Sequence, residues 1–352
     1  MTRSSDWHNY MSKNLVLACR DENRVTLETL PLQQLRDGEI LVQLRACGIC
    51  GTDIAKVYDP YFKKPVQLGH ELVATVVESK AERFKIADRV AIAHHAPDYN
   101  SHYTKRGSAP MDPLFKSSNI DPGGFAHFIR VPALLVENTV IPIPHHVPDE
   151  RAVFMEPLAC CLRALDRVSL LEGDTALIVG AGAVGILFLP LLRDLKVKPL
   201  VLDMREERLT LASAWGAADS GMANKIDATK FATSHTEGRG VDIVILSVFT
   251  KLTIATAMLA VRAGGTILIF GSKPNNEITI DWWDIWRREI NLITSYSATP
   301  DLMHRAMNLL AREDYALETL ISHKVPLQDA QRAFDLVHEG KASKAIITRS
   351  SH

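Results

Sequence analysis

Two cysteines, a histidine and two glutamates are the side chains best suited to carry chemistry in this sequence. RACGICGTDIAK holds Cys47 and Cys50, LGHELVA brings His70 twenty residues after Cys50 with Glu71 beside it, and FMEPLACC places Glu156 far downstream. Thiolate, imidazole and carboxylate form a borderline-soft donor set that suits Zn2+. A closed four-cysteine site is disfavoured, because no second CxxC exists. Cys160 and Cys161 are adjacent on an expected helix, where neighbours point about 100° apart. Three protein ligands with one position left open, as catalytic zinc requires, fit better. Plainer readings compete: Cys47 as a small core residue, His70 as a satisfied strand-end histidine, Glu71 as a solvated acid. Glu156, beside Pro157 in an apolar helix start, needs a cation or a proton.

A second constellation points to a dinucleotide. Gly180-Ala181-Gly182-Ala183-Val184-Gly185 follows the apolar run TALIVG and opens a helix. Gly180 permits the turn, Gly182 lets backbone approach a pyrophosphate, and Gly185 allows close helix–strand packing. The helix start, including Ala183 and Val184, offers unpaired N–H groups to phosphate. The next apolar run, PLVLD, ends in Asp203, at the offset of a ribose-binding acid. A carboxylate there repels a 2′-phosphate, so NAD is favoured over NADP. Arg205 and Arg208 soften that preference, since either could reach a phosphate or simply be solvated helix charge.

The elements that must position these residues fall into two patterns. From Asn14 to about Val147, short apolar runs (NLVLAC, EILVQLRA, ELVATVVES, RVAIA) are separated by turn residues, with one short helix after Cys50. Near Asp149, a plausible N-cap, the period becomes helical through DERAVFMEPLACCLRALDRV. Strands and helices then alternate as in a doubly wound parallel α/β sheet. The tail from about Pro300 is too short for a domain and is expected to return to the β-rich unit. The division is therefore 1–150 with 298–352, and 151–297, with residues 1–10 a polar, poorly ordered extension before Met11.

Bulk composition excludes several classes. The chain has 352 residues, 40 basic and 41 acidic, a balance that marks neither nucleic acid nor anionic membrane as a partner. The start lacks a signal-peptide core, and the most apolar stretch, near Gly185 to Leu192, contains Pro190 and stops at Arg193. Five cysteines, an odd and sparse set, argue against a disulfide framework, and a cytoplasmic location is expected.

With these residues in place, the sequence resembles the zinc-dependent alcohol and polyol dehydrogenase branch of the medium-chain dehydrogenase/reductase superfamily. GICGTD, LGHE, ADRVAIA, NIDPGGFAHFIRVP, EPLACCLRAL, GAGAVG and FDLVHEGKASKAIIT carry the resemblance in family order from about Met11 onward. It implies a GroES-like β-barrel catalytic domain beside a Rossmann domain. It also implies that Cys50 and His70 bind zinc, with Glu71 binding directly or through water. Glu156 would approach the ion or its water, and Thr52 would receive the substrate proton. GGFAHFIRVP and EPLA resemble the sorbitol and threonine dehydrogenase side more than the ethanol side. The implied activity interconverts a secondary alcohol of a polyol, sugar or cyclitol with its ketone. Relatives are usually dimers or tetramers, and the sheet edge near GTILIFG is a plausible subunit contact.

Two departures matter. Relatives with a structural zinc carry four cysteines in a lobe after the barrel, whereas here Asp98, Ser101, Thr104 and Asp112 stand in the matching stretch. One catalytic zinc per chain and no structural zinc is expected. Ala55 replaces the histidine that many relatives have three residues after the proton acceptor, leaving the ribose hydroxyl, water or Lys56 as the onward path. Two alternatives compete: a zinc-free, NADPH-preferring quinone or enoyl reductase, and a non-catalytic nucleotide-binding protein that keeps the fold.

Overall fold

The computed structural model describes residues 14–349, so the extension 1–10 lies outside the described residues. The chain divides into two compact units, one running to Ala159 and resuming at Ala298, the other spanning Cys160–Ser297. The first unit thus takes in the opening turn of the Met155–Leu165 helix, and with it Glu156.

The first unit is built on β1 (Asn14–Ala18), β2 (Thr26–Leu30), β3 (Ile40–Gly48), β4 (Glu71–Ser79), β5 (Arg89–Ile92), β6 (Phe128–Val131) and β7 (Val140–Pro142). β3 and β4 are the longest strands of this unit and pair antiparallel from Ile40 opposite Ser79 to Gly48 opposite Glu71. Ile40, Val42, Leu44, Leu72, Ala74 and Val76 of these strands are buried with Phe125 and Phe334 in one core, which drives the pairing. That register sets Cys47 to Cys50 and His70–Glu71 at the same end of the same two strands.

The second unit carries β8 (Thr175–Val179), β9 (Lys198–Asp203), β10 (Asp219–Met222), β11 (Val241–Leu246), β12 (Val261–Ile269) and β13 (Asn291–Thr294). All pairs are parallel, in the order β10-β9-β8-β11-β12-β13. The order reverses between β8 and β11, and ligands bind beyond the carboxyl ends of strands at such a switch point. Chain then returns to the first unit, where β14 (His323–Pro326) and β15 (Ala345–Thr348) complete a seven-stranded sheet by β15 pairing with β3. No helix among the described residues is long and apolar enough to cross a membrane.

Three local expectations are corrected. Pro148, not Asp149, is the N-cap residue, because the Asp149 carboxylate pairs instead with Arg45 and with Arg89 Nη2 at 2.6 Å. The long helical stretch from Asp149 breaks into Asp149–Ala152 and Met155–Leu165, since Pro157 is tolerated only in a first helical turn. The run GTILIFG is not at the sheet edge: its strand β12 lies between β11 and β13, and β13 is outermost.

The lobe at 97–118 holds itself together with oxygen and nitrogen. Asp112 is buried, caps the Pro113–Ser117 helix through Phe115 N at 3.1 Å, and also accepts from Asp98 N at 3.1 Å. Ser101 N donates to Asp98 O at 3.2 Å, and Ser101 Oγ to Thr104 Oγ1 at 3.1 Å. The four residues that stand in place of cysteines therefore form one hydrogen-bonded chain. Replacing Asp112 by Ala should cost about 1 kcal/mol, the usual loss for a side-chain cap, read in urea denaturation. Hydrogen exchange should rise across 98–118 and leave β3 and β4 protected; protection unchanged in the lobe would show that Asp112 does not organise it.

Candidate active site

Cys50 leaves the end of β3 and becomes the N-cap of the Gly51–Tyr58 helix. Its Sγ accepts from Thr52 N at 3.5 Å, while its own N–H donates to Asp53 Oδ2 at 3.1 Å. Asp53 is fully buried, and its Oδ1 accepts from Gly69 N at 2.9 Å and lies 3.5 Å from His70 Nδ1. With Nδ1 facing Asp53, Nε2 is the ring nitrogen left for a metal. Burial by itself would raise the Asp53 carboxyl, but His70 and the Gly69 N–H hold it below the ordinary value.

Cys50 Sγ, a His70 ring nitrogen and a Glu71 carboxylate oxygen all lie within 4.8 Å of one another. Burial pushes the His70 imidazole down, yet Asp53 and Cys50 outweigh it and carry it well above its ordinary value in the metal-free protein. A pocket this anionic takes up positive charge, as a proton or as a metal ion. The one-sulfur, one-nitrogen, one-oxygen donor set fits zinc with a position to spare. Thr52 Oγ1 is exposed and lies 3.8 Å from Cys50 Sγ, within reach of a molecule bound at that position.

The other candidates fall differently. Cys47 is a core residue, buried opposite Leu72, with its thiol pushed well up by burial. Glu156 is buried but does not join the donor group. Lys56 is half-buried, and its Nζ donates to Gln67 O at 3.0 Å. The His94 ring lies beside His70, tilted by 37° with centroids 4.8 Å apart, and His95 lies 3.7 Å from His94. Burial pushes His94 well below the ordinary imidazole value and His95 down to about 4. Phe125 is core packing against Phe334, while Tyr296 is exposed on the second unit. Sequence reasoning missed Asp53 and Lys344. Asp53 carried a usable signal, because an acid three residues after an N-cap is the spacing of a capping box. Lys344, whose Nζ pairs with Glu71 Oε2, carried none.

In the second unit Gly180 has φ +100°, and Ser247 Oγ donates to its carbonyl at 2.7 Å. A Cβ on Gly185 would stand 1.9 Å from Gly180 O, so only glycine lets the Ala183–Asp194 helix approach the turn this closely. Gly182 begins that helix with no side-chain cap, and only Arg208 Nη1, 3.9 Å from where its Cβ would be, stands nearby. Ala183 and Val184 supply the first helical N–H groups. Asp203 Oδ2 accepts from Ala181 N at 2.6 Å and lies 3.7 Å from Arg208 Nη1; its Oδ1 accepts from Arg205 N at 2.9 Å. Glycine turn, free helix start and carboxylate together fit a dinucleotide.

Comparison with known proteins agrees. Residues 36–145 match the family described as alcohol dehydrogenase GroES-like domain, and residues 183–312 match the zinc-binding dehydrogenase family. The D-arabitol-phosphate dehydrogenase of Enterococcus avium is 30% identical over 329 residues, covering 90% of this chain and 92% of that protein. The sorbitol dehydrogenase of Mus musculus is 27% identical, covering 95% and 96%. A putative zinc-binding dehydrogenase of Sinorhizobium meliloti, solved with NADP, superposes with a TM-score of 0.85 at 25% identity, covering 96% of this chain and 99% of that one. The chain belongs to the zinc-dependent alcohol and polyol dehydrogenase branch of the medium-chain dehydrogenase/reductase superfamily, with its GroES-like domain and Rossmann-type parallel sheet. It is an alcohol dehydrogenase-type oxidoreductase.

Asp53→Asn should weaken metal binding about 10–100-fold, the usual cost of losing a partner that orients a metal-binding histidine. Chelator competition measures this, with circular dichroism as the control for folding. Affinity equal to wild type would mean that Asp53 does not orient His70.

Proposed function

We propose that the enzyme interconverts a secondary alcohol of a polyol, sugar or cyclitol with its ketone, using one zinc ion per chain and NAD. The observation that carries this reading is the convergence of Cys50, His70 and Glu71 beside an exposed Thr52 hydroxyl. Relatives named for sorbitol and D-arabitol phosphate support the substrate class.

When bound, zinc would supply a Lewis acid that stabilises negative charge on the substrate oxygen, and the nicotinamide ring would supply the hydride acceptor. Cys50, His70 and Glu71 hold the metal, and Asp53 fixes the imidazole that serves it. Glu156 lies outside the donor group, so Glu71 is the carboxylate assigned as ligand. The Thr52 hydroxyl accepts the proton leaving the substrate hydroxyl and returns it in the reverse direction. Ala55 cannot carry the proton onward, and Lys56 is committed to Gln67 O. We assign the next step to water or a cofactor hydroxyl.

Gly180, Gly182 and Gly185 admit the pyrophosphate at the N–H groups of Ala183 and Val184, with Arg208 alongside as a countercharge. Asp203 disfavours a 2′-phosphate, which supports NAD. The zinc-free reductase reading leaves the donor group without a purpose, and so does a purely nucleotide-binding role. We also propose a cytoplasmic homo-oligomer. None of the five cysteines, all among the described residues, forms a disulfide, as suits a reducing compartment. The outer strand β13 follows a helix that exposes Trp282, Trp283 and Trp286.

Cys50→Ser and His70→Ala should each abolish polyol oxidation, followed as NADH absorbance, while NAD binding survives in calorimetry. Near-normal turnover in either would refute metal-dependent catalysis here. Thr52→Ala should lower kcat by about 10²–10⁴, the usual general acid–base contribution. NADH should bind more tightly than NADPH, and the reverse order would overturn the assignment of Asp203.

A further inference from the structure

A buried charge stands beside the three donors, and the reaction proposed above makes no use of it. Lys344 directly precedes β15 and is only 5% exposed. Its Nζ pairs with Glu71 Oε2, donates to Ile49 O at 3.2 Å, and lies 5.8 Å from the centre of the Phe154 ring. Gly48 makes room for this pair. It sits opposite Glu71 in the β3–β4 ladder, where a Cβ would stand 1.8 Å from Glu71 Oε2 and 3.1 Å from Lys344 Cε. Three strands contribute: β3 leaves the space, β4 brings the carboxylate, and the start of β15 brings the ammonium.

As a fastener the pair is redundant. β15 is already tied to β3 and β14 by ladder hydrogen bonds. A buried ion pair, moreover, gains little over apolar side chains of equal volume. Its distinctive effect falls on one oxygen of a residue that faces the metal position.

We propose that Lys344 is a positioning residue for the metal centre: it engages Glu71 Oε2, so that Glu71 offers the ion one oxygen and the fourth coordination position stays open for substrate. The inference rests on Cys50, His70 and Glu71 being the ligands. Catalytic zinc keeps an open position and can expand to five ligands. A carboxylate with both oxygens at liberty can bind bidentate and fill that position. The ammonium also offsets charge where Glu71, Asp53 and Cys50 crowd together.

The test uses the full-length enzyme loaded with Co2+, whose visible bands weaken as coordination number rises, and reads metal extraction by a chelator. Lys344→Met should weaken the bands and, by adding a ligand oxygen to the ion, slow extraction. Lys344→Arg, which keeps a cation and donors, should restore the wild-type spectrum. Gly48→Ala, whose methyl must displace Oε2, tests the same contact from the other side and should weaken the bands likewise, even if Lys344→Met does not fold. Unchanged bands in Lys344→Met or Gly48→Ala, or extraction from Lys344→Met as fast as wild type or faster, would reduce the pair to a structural fastener and overturn the inference. Glu71→Gln separates the two levels. It should speed extraction, and wild-type extraction there would overturn Glu71 as a ligand, whatever Lys344→Met does.

Discussion

A single carboxylate with no exposure to solvent ties together two stretches of chain that the β3–β4 register brings to the same end of the sheet. Asp53 accepts the N–H of Cys50 on one side and the N–H of Gly69 on the other, and faces the His70 ring with its remaining capacity. Buried acid is costly unless fully partnered, so its burial obliges those partners to stay where they are. The thiol at the helix cap and the imidazole just before β4 are thereby held in place by contacts within the protein itself. Such preorganisation is what a Lewis-acid site needs, because ligand geometry settled during folding does not have to be settled again in each turnover.

The two units solve their binding problems with opposite resources. The first gathers charged side chains into a dry corner of an antiparallel sheet and balances them against each other. The second works almost entirely with backbone: a strand that ends in glycine, a helix start with no side-chain cap, and one acid, Asp203, at the end of the neighbouring strand. Parallel strands supply that arrangement at a topological switch point without specialised side chains. Its sequence signature is correspondingly compact, confined to residues 180–203.

That difference explains what could be read from sequence. The glycine turn and Asp203 are local, so period and spacing reveal them. Cys50, His70 and Glu71 were legible through the chemistry of their side chains. Spacing by itself, however, could not choose between Cys47, whose thiol lies within β3 in the core, and Cys50, which stands past the strand's end as the cap of the next helix. Lys344 was illegible, because its pairing with Glu71 depends on the register of β15 against β3, set by the packing of the whole sheet. The same limit hid the true outer strand, since sheet order is not written in any local period. Asp149 was misread as a cap because two arginines from β3 and β5 compete for it successfully.

The proposed centre is a mixed donor set around one ion. X-ray absorption at the zinc edge of the purified enzyme probes it most directly. One sulfur near 2.3 Å with the remaining ligands nitrogen or oxygen at about 2.0–2.2 Å, at one zinc per chain, is the expected result. A centre with no sulfur, or one with four, would contradict it.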